Sequence, residues 1–225
     1  MAEKQADLRN MVDDIVRACP AEDHWSLDAE RRALLQGLTA DDPQAITMGL
    51  AHLCTAFIDY LNVFRPAAPA VLYALALLDL KLGGDILIRS PCGRLRPLRG
   101  HLLAWLSTVA DAVGDVSERE FVELAGFSPL EYPTSAWHTV RQLRPRMYDA
   151  AAAFLDDPHA DVRQEAITAA VVLVRVPELA VHRQRIAAAA RAFLETCTDP
   201  MHRRWAHEAF HELSPMYVAD EPAPM

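Results

Sequence analysis

The residues best suited to chemistry lie near the C-terminus, in the run His207-Glu208-Ala209-Phe210-His211. This is the HExxH pattern of zinc metalloproteases. Residues i and i+4 share one face of a helix, so two histidines at this spacing could bind one zinc ion while the glutamate acts as a general base. The pattern therefore raises a zinc hydrolase as one alternative function.

The sequence around this motif favours a different interpretation. The extended motif would need glycine at 214 and histidine at 217, where Ser214 and Tyr217 stand. At about 100° per residue, the apolar side chains from Trp205 to Leu213 form one face, and the two histidines project from the opposite one. We expect a solvated or partner-facing surface with no metal and no cofactor, and a buried, hydrogen-bonded His202 inside the apolar stripe.

A basic cluster lies between Arg89 and His101 in an otherwise acidic chain. Arg94, Arg96 and Arg99 could bind phosphate or an acidic loop of a partner, because guanidinium groups make paired hydrogen bonds to such oxygens. The alternative is a loop and helix start whose arginines are solvated or pair with nearby aspartates.

Acidic residues gather where helices are expected to begin, at Asp156, Asp157, Asp161 and Asp199 among others. In a stack of helices the equivalent turns line up along one edge, so these residues could form an acidic ridge that meets a basic partner. Helix capping combined with surface charge is the simpler alternative.

The elements that must position these residues are helices, since a helical period runs through almost the whole chain and prolines separate the periodic segments. The predicted helices are 3–18, 27–38, 43–64, 69–82, 95–113, 117–125, 135–156, 159–175, 179–196 and 200–213. We find no hairpin signal between them.

Several helix starts carry capping signals. Aspartate caps free N–H groups and proline fits the first turn, and three starts combine the two: Asp42-Pro43, Asp157-Pro158 and Asp199-Pro200. Ser117 and Glu120 have the spacing of a capping box for a further helix.

The spacing of these segments indicates an internal repeat. Phe-Leu pairs begin at 154 and 193, which are 39 residues apart, and the Asp-Pro pairs at 157 and 199 are 42 apart. Each unit would consist of a helix, a short turn containing aspartate, and a second helix.

The segment 154–173, FLDDPHADVRQEAITAAVVL, resembles a HEAT repeat, and five residues fall on the family pattern: Asp157, Pro158, Val162, Arg163 and Ala166. The resemblance implies that Asp157 or Asp161, together with Arg163, makes contacts between repeats. It also implies an all-α fold, a right-handed α-solenoid of about five HEAT-like helix pairs. We expect a single domain over 1–213 and a flexible tail over 214–225.

The net charge of the chain restricts the functions that are compatible with this fold. With 22 basic and 31 acidic residues the formal net charge is −9, which argues against nucleic-acid binding. We expect a non-catalytic protein-binding module, in concrete terms a bacterial immunity-like or antitoxin-like protein that docks on and neutralises a basic toxin. The predicted partner-binding residues are Asp156, Asp157, Asp161, Arg163, Arg94, Arg96 and Arg99.

The HEAT-like fold also implies a second alternative, a DNA glycosylase that removes alkylated bases. Such enzymes use tryptophans and an aspartate on a basic concave face, and Trp105, Trp137, Trp205 and Asp111 are the candidates here. The acidic charge argues against this alternative.

The cysteine pattern and the absence of long apolar stretches indicate the cellular compartment. Four scattered cysteines without a CxxC pair are typical of reduced thiols. The N-terminus has no apolar signal region, and no run of about 18 uncharged residues occurs. We expect a cytoplasmic protein with no membrane partner.

Overall fold

The computed structural model describes residues 2–19, 28–80, 86–89 and 93–218. This part of the chain is mostly helical, as predicted. The helices are α1 (Ala2–Ala18), α2 (Asp28–Gly37), α3 (Pro43–Ala56), α4 (Ala67–Asp79), α5 (Leu98–Ala112), α6 (Asp115–Ala125), α7 (Ala136–Arg141), α8 (Arg144–Ala152), α9 (Ala160–Leu173), α10 (Arg183–Thr196) and α11 (Pro200–Val218). Short 3-10 helices cover Pro129–Glu131 and Pro177–His182.

Two short antiparallel hairpins interrupt the helices. Strands β1 (Ile58–Asp59) and β2 (Asn62–Val63) pair with each other, and so do β3 (Leu87–Arg89) and β4 (Leu95–Pro97). The sequence did not predict either hairpin, and the helix expected over 43–64 ends at Ala56 to make room for the first.

The helices pack around a continuous apolar core. In the N-terminal half, α1 contacts α4 and α2 packs on α3. In the C-terminal half, α9 is the central helix, because it contacts α5, α8, α10 and α11. Alanines 166, 169 and 170 of α9 are fully buried, and such short side chains allow close approach of neighbouring helices.

Two of the predicted aspartate caps are confirmed. Asp42 accepts hydrogen bonds from the backbone N–H groups two and three residues ahead, at 3.0 and 3.2 Å. Asp199 does the same at 2.9 Å for both groups. These side chains satisfy N–H groups that have no partner within their own helices, α3 and α11.

Two other predicted starts are wrong in detail. The N-cap of α9 is His159. Asp157 lies in the turn before it, where its carboxylate accepts hydrogen bonds from Arg99. Ser117 lies inside α6 and donates to the Asp111 carbonyl, so it caps nothing. The capping box of this region is formed instead by Ser128, at the start of the 3-10 helix.

The C-terminal helix is longer than predicted. The tail was expected to begin at 214, yet α11 continues to Val218, and the rest of the expected tail lies outside the described residues. None of the described helices combines the length and the apolar character needed to cross a membrane.

Candidate functional site

Arg96 and Arg99 lie inside the fold, where each pairs with a carboxylate of the α9 region. Arg99 donates to Asp157 through Nε at 2.8 Å and Nη2 at 3.0 Å. Arg96 contacts Glu165 of α9, and both of these side chains are buried. The expectation that Arg96, Arg99 and Asp157 meet a partner directly is therefore revised, because their charged groups hold β4 and α5 against α9.

The titration of Asp157 reflects this pairing. Burial alone would raise the pKa of its carboxyl, but the hydrogen bonds from Arg99, the backbone N–H of His159 and the Arg99 charge together hold the pKa below its usual value. The carboxylate therefore stays charged at neutral pH, which keeps the ion pair intact.

Arg163 and Asp161 also make internal contacts. Arg163 donates to the carbonyl oxygens of Asp157 at 2.6 Å and Pro158 at 3.0 Å, so it closes the turn before α9. Asp161 lies 2.8 Å from Nε2 of His202 on α11. The HEAT resemblance implied contacts between repeats through Asp157 or Asp161, together with Arg163. Both aspartates contact other elements, at Arg99 and His202, while Arg163 bonds to the backbone of its own turn. His202 is partly buried: Nε2 faces Asp161, while the buried Nδ1 has no hydrogen-bond partner in the described structure.

Arg94 lines an open cleft of about 390 Å³ between α9 and α11. Its guanidinium lies 4.2 Å from the ring centroid of Trp205 and 3.7 Å from a carboxylate oxygen of Glu165. Arg94 is half exposed and Asp156 is exposed, so these two members of the predicted partner-binding set lie at the surface.

The HExxH histidines lie on an exposed face of α11, while Ala206 and Leu213 on the other face are buried. The Nε2 atoms of His207 and His211 are 3.3 Å apart. The carboxylate of Glu208 pairs with Arg204 at 2.9 Å. Within the described part of the chain no third histidine, cysteine or carboxylate joins them to form a metal-binding group.

The tryptophans considered for a glycosylase do not share one face. Trp105 and Trp137 are buried in the core, and Trp205 lies in the cleft beside Arg94. Asp111 is exposed and pairs with Arg175 at 2.8 Å. Arg175 lines the same cleft as Trp205, whereas Trp105 and Trp137 are not among the residues that line it.

The exposure of helix α6 is the feature that sequence reasoning missed. It begins with acidic residues in its first turn and ends at Gly126, whose φ of 80° suits the left-handed position after a helix. Yet α6 buries none of its residues. It is held by Phe121, which makes edge-to-face contacts with Phe127 at 5.6 Å and Trp137 at 5.8 Å, and by an ion pair between Glu118 and Arg141.

The outer side of this region carries an exposed apolar and aromatic group, here called the α6 surface, formed by Tyr60, Val116, Leu124, Phe127 and Tyr132. Leu124 is 76% exposed and Tyr60 is 74% exposed. The Tyr60 hydroxyl lies 3.3 Å from the carboxylate of Glu120, which stands between Val116 and Leu124 on the same helical row. The rings of Phe127 and Tyr132 are 6.0 Å apart.

The sequence contains a signal for this exposure. The apolar residues of 116–125 are spread around the helix instead of forming one stripe, so they cannot all face the core at once. The pattern predicted a helix correctly and did not reveal which of its side chains would stay outside.

Comparison with the models of known protein families, with curated proteins and with solved structures finds no match. The function must therefore be inferred from the site itself.

Proposed function

We propose that this chain is a non-catalytic protein-binding module that docks a basic partner protein through the α6 surface. The observation that carries the proposal is the exposure of five large apolar or aromatic side chains around a helix without a buried residue. Burying such side chains under a partner stabilises the complex by about 25 cal/mol per Å² of apolar surface removed from water.

The residue types at this surface suit a protein interface. Tyrosine is enriched among the residues that dominate binding energy, because it combines a large apolar area with a polar tip. Tyr60 and Tyr132 both present exposed rings here. Tyr60 has a φ of 53°, a left-handed conformation that a bulky residue rarely adopts. Strain of this kind persists where the surrounding hairpin fixes the residue.

Charge indicates the chemistry of the partner. Helix α6 carries four acidic residues against one arginine, and Glu120 and Glu123 are exposed beside the apolar side chains. With the chain at −9 overall, a basic surface with apolar residues at its centre is the complementary partner.

The proposal also includes how the helices are arranged. A right-handed HEAT-like α-solenoid is supported by the packing of consecutive helices on one another, as in α2 with α3, α8 with α9 and α10 with α11. In this arrangement α6 and α7 are an insertion between two repeats, since α5 contacts α9 directly although α6 and α7 lie between them in sequence. A cytoplasmic location and a bacterial immunity-like or antitoxin-like role, with a basic toxin as partner, stay predictions within the proposal.

The test compares two matched variants at exposed apolar positions. Leu124→Arg places a positive charge at the α6 surface, and Val181→Arg places the same charge at a remote position that is 80% exposed. Tagged wild-type protein and both variants are used for pull-down from the native host, and captured proteins are quantified by mass spectrometry. Binding of the captured partner is then measured by calorimetry.

We expect one stoichiometric basic partner with wild type and Val181→Arg, and at least about 30-fold weaker binding with Leu124→Arg, as for residues that dominate an interface. A partner that binds both variants equally would exclude the α6 surface. If purified protein instead retains stoichiometric zinc after dialysis, or binds duplex DNA with salt sensitivity, the two enzyme alternatives gain support and the proposal fails.

A further inference from the structure

A second candidate site lies in the N-terminal half, beside the β1–β2 hairpin that also carries Tyr60 of the α6 surface. It is a pocket of about 310 Å³ where α2, α3 and the β1–β2 hairpin meet the start of α4. We call it the His52 pocket, and its defining residues are Arg31, His52, Phe57, Asp59, Phe64 and Arg65. Its volume falls at the lower end of the range of small-molecule sites.

The polar lining of the His52 pocket is cationic, although the chain as a whole is acidic. Two guanidinium groups line it, from Arg31 and Arg65, against the single carboxylate of Asp59. Among the residues that the structure describes, neither arginine has a hydrogen bond or an ion pair, unlike Arg96 and Arg99 in the core. Groups that bind anions well are therefore left available at this pocket.

His52 contributes a buried polar atom without a partner. Its Nε2 atom is shielded from solvent and has no hydrogen-bond partner in the described structure. Buried polar atoms of folded proteins are nearly always hydrogen-bonded, so an orphaned atom in a pocket wall points to a missing ligand or water. Burial, followed by the charge of Arg31, lowers the pKa of His52, and Glu30 opposes this in part.

The remaining wall is apolar. Phe57 is buried and lies edge-on to the His52 ring at 5.7 Å between centroids, and Phe64 is partly exposed at the pocket. Benzene fills a cavity of about 150 Å³, so about 310 Å³ leaves room for an aromatic ring together with a charged group.

We propose that the His52 pocket binds a small aromatic anion, a carboxylate or a phosphate ester. The anionic group faces Arg31 and Arg65, and the ring packs against Phe57 and Phe64 beside the His52 imidazole. This site is separate from the partner-binding function proposed for α6, and its failure would leave that function untouched.

The test uses phenyl phosphate and benzoate as probes on the full-length protein. Phenol serves as the neutral ring without an anion, and inorganic phosphate as the anion without a ring. Binding is measured by calorimetry, and the imidazole resonances of His52 are followed by NMR. The variant is Arg65→Gln, whose side chain is exposed, and the matched control is Arg9→Gln, an exposed arginine of α1.

We expect one or both aromatic anions to bind at one site per chain and to shift the His52 resonances. Arg65→Gln should weaken binding about tenfold or more, while Arg9→Gln stays within about twofold, because only Arg65 loses a charge-assisted hydrogen bond. The pKa of His52 should rise in the complex, since a bound anion favours the imidazolium.

Three results would overturn the proposal. The first is no His52 shift at millimolar concentrations of either aromatic anion. The second is equal weakening in Arg65→Gln and Arg9→Gln, which would mean that only the overall charge of the protein matters. The third is equal affinity for phenol and phenyl phosphate, or for inorganic phosphate and phenyl phosphate, which would remove the role of the anion or of the ring.

Discussion

Replacing Asp157 with alanine should strongly destabilise the fold, because it removes the carboxylate that neutralises Arg99. The two side chains are 9% and 8% exposed and are joined by two hydrogen bonds. Asp157 also accepts the backbone N–H of His159 at 2.9 Å. The variant would leave the largely buried Arg99 guanidinium between α5 and α9 without this carboxylate.

The expected magnitude follows from these contacts. Removing one member of a buried ion pair costs about 3–5 kcal/mol, because the remaining charge stays desolvated. The lost acceptor for His159 adds about 0.5–1.5 kcal/mol. For a chain of this size each kcal/mol lowers the melting temperature by about 2–4 °C, so Asp157→Ala should melt roughly 7–26 °C below wild type.

The neighbouring aspartate provides a matched control. Asp156 is exposed, so Asp156→Ala should change the free energy of unfolding by no more than about 0.5 kcal/mol. Urea unfolding followed by circular dichroism measures both variants. A further variant, Arg99→Met with Asp157→Leu, should recover much of the loss, since it leaves no buried charge. Equal stability of the two aspartate variants would refute the internal role of Asp157.

The same pair predicts a pH dependence. Because the folded pKa of Asp157 lies below its unfolded value of about 3.9, the stability it contributes is fully present above that value and is lost as the pH falls through the folded pKa. The deficit of Asp157→Ala relative to wild type should therefore be largest near neutral pH and shrink in acid. A deficit that is constant from pH 7 to pH 2 would contradict this assignment.

Two further predictions concern the core. A Cβ added at Gly49 would press on the Leu34 carbonyl oxygen and come within 2.9 Å of Cγ of Leu38, so Gly49→Ala should cost about 1–3 kcal/mol; an unchanged urea midpoint would contradict this. His101 is buried, and burial lowers its pKa, so the stability it contributes is full above its unfolded pKa and falls as the pH drops below about 6.5. His101→Gln should flatten the pH dependence of stability between pH 7 and 5, and a slope equal to that of wild type would contradict this.

Local chemistry made part of the fold predictable from sequence. Asp42 and Asp199 cap their helices, each accepting hydrogen bonds from the N–H groups two and three residues ahead, as the aspartate-proline pattern predicts. Asp157 also precedes a proline and accepts the N–H two residues ahead, but its carboxylate pairs in addition with Arg99, 58 positions away. No local pattern contains that partner, so the role of Asp157 depends on how α5 packs against α9.

The hairpins and the candidate site were less predictable for related reasons. The strands of β1–β2 are only two residues each, too short to show an alternating pattern, and the turn uses Tyr60 where glycine or asparagine would signal a hairpin. The basic cluster was visible in sequence, but only the packing shows that Arg96 and Arg99 face inward while Arg94 faces a cleft. The exposure of the α6 surface likewise depends on packing, because no other element that the structure describes covers this side of α6 and no local sequence pattern shows that.

Charged side chains that already have partners inside the protein can contribute little to binding, so binding energy must come from other groups. Around α9 the charged groups already have partners: Arg96 has Glu165, Arg99 has Asp157, and Arg163 has two carbonyl oxygens. A partner that contacted them would have to replace good interactions, so little net affinity would result. The apolar side chains of the α6 surface lose only water on binding. Affinity should therefore depend on α6, and the acidic turns near α9 should affect mainly the rate of association.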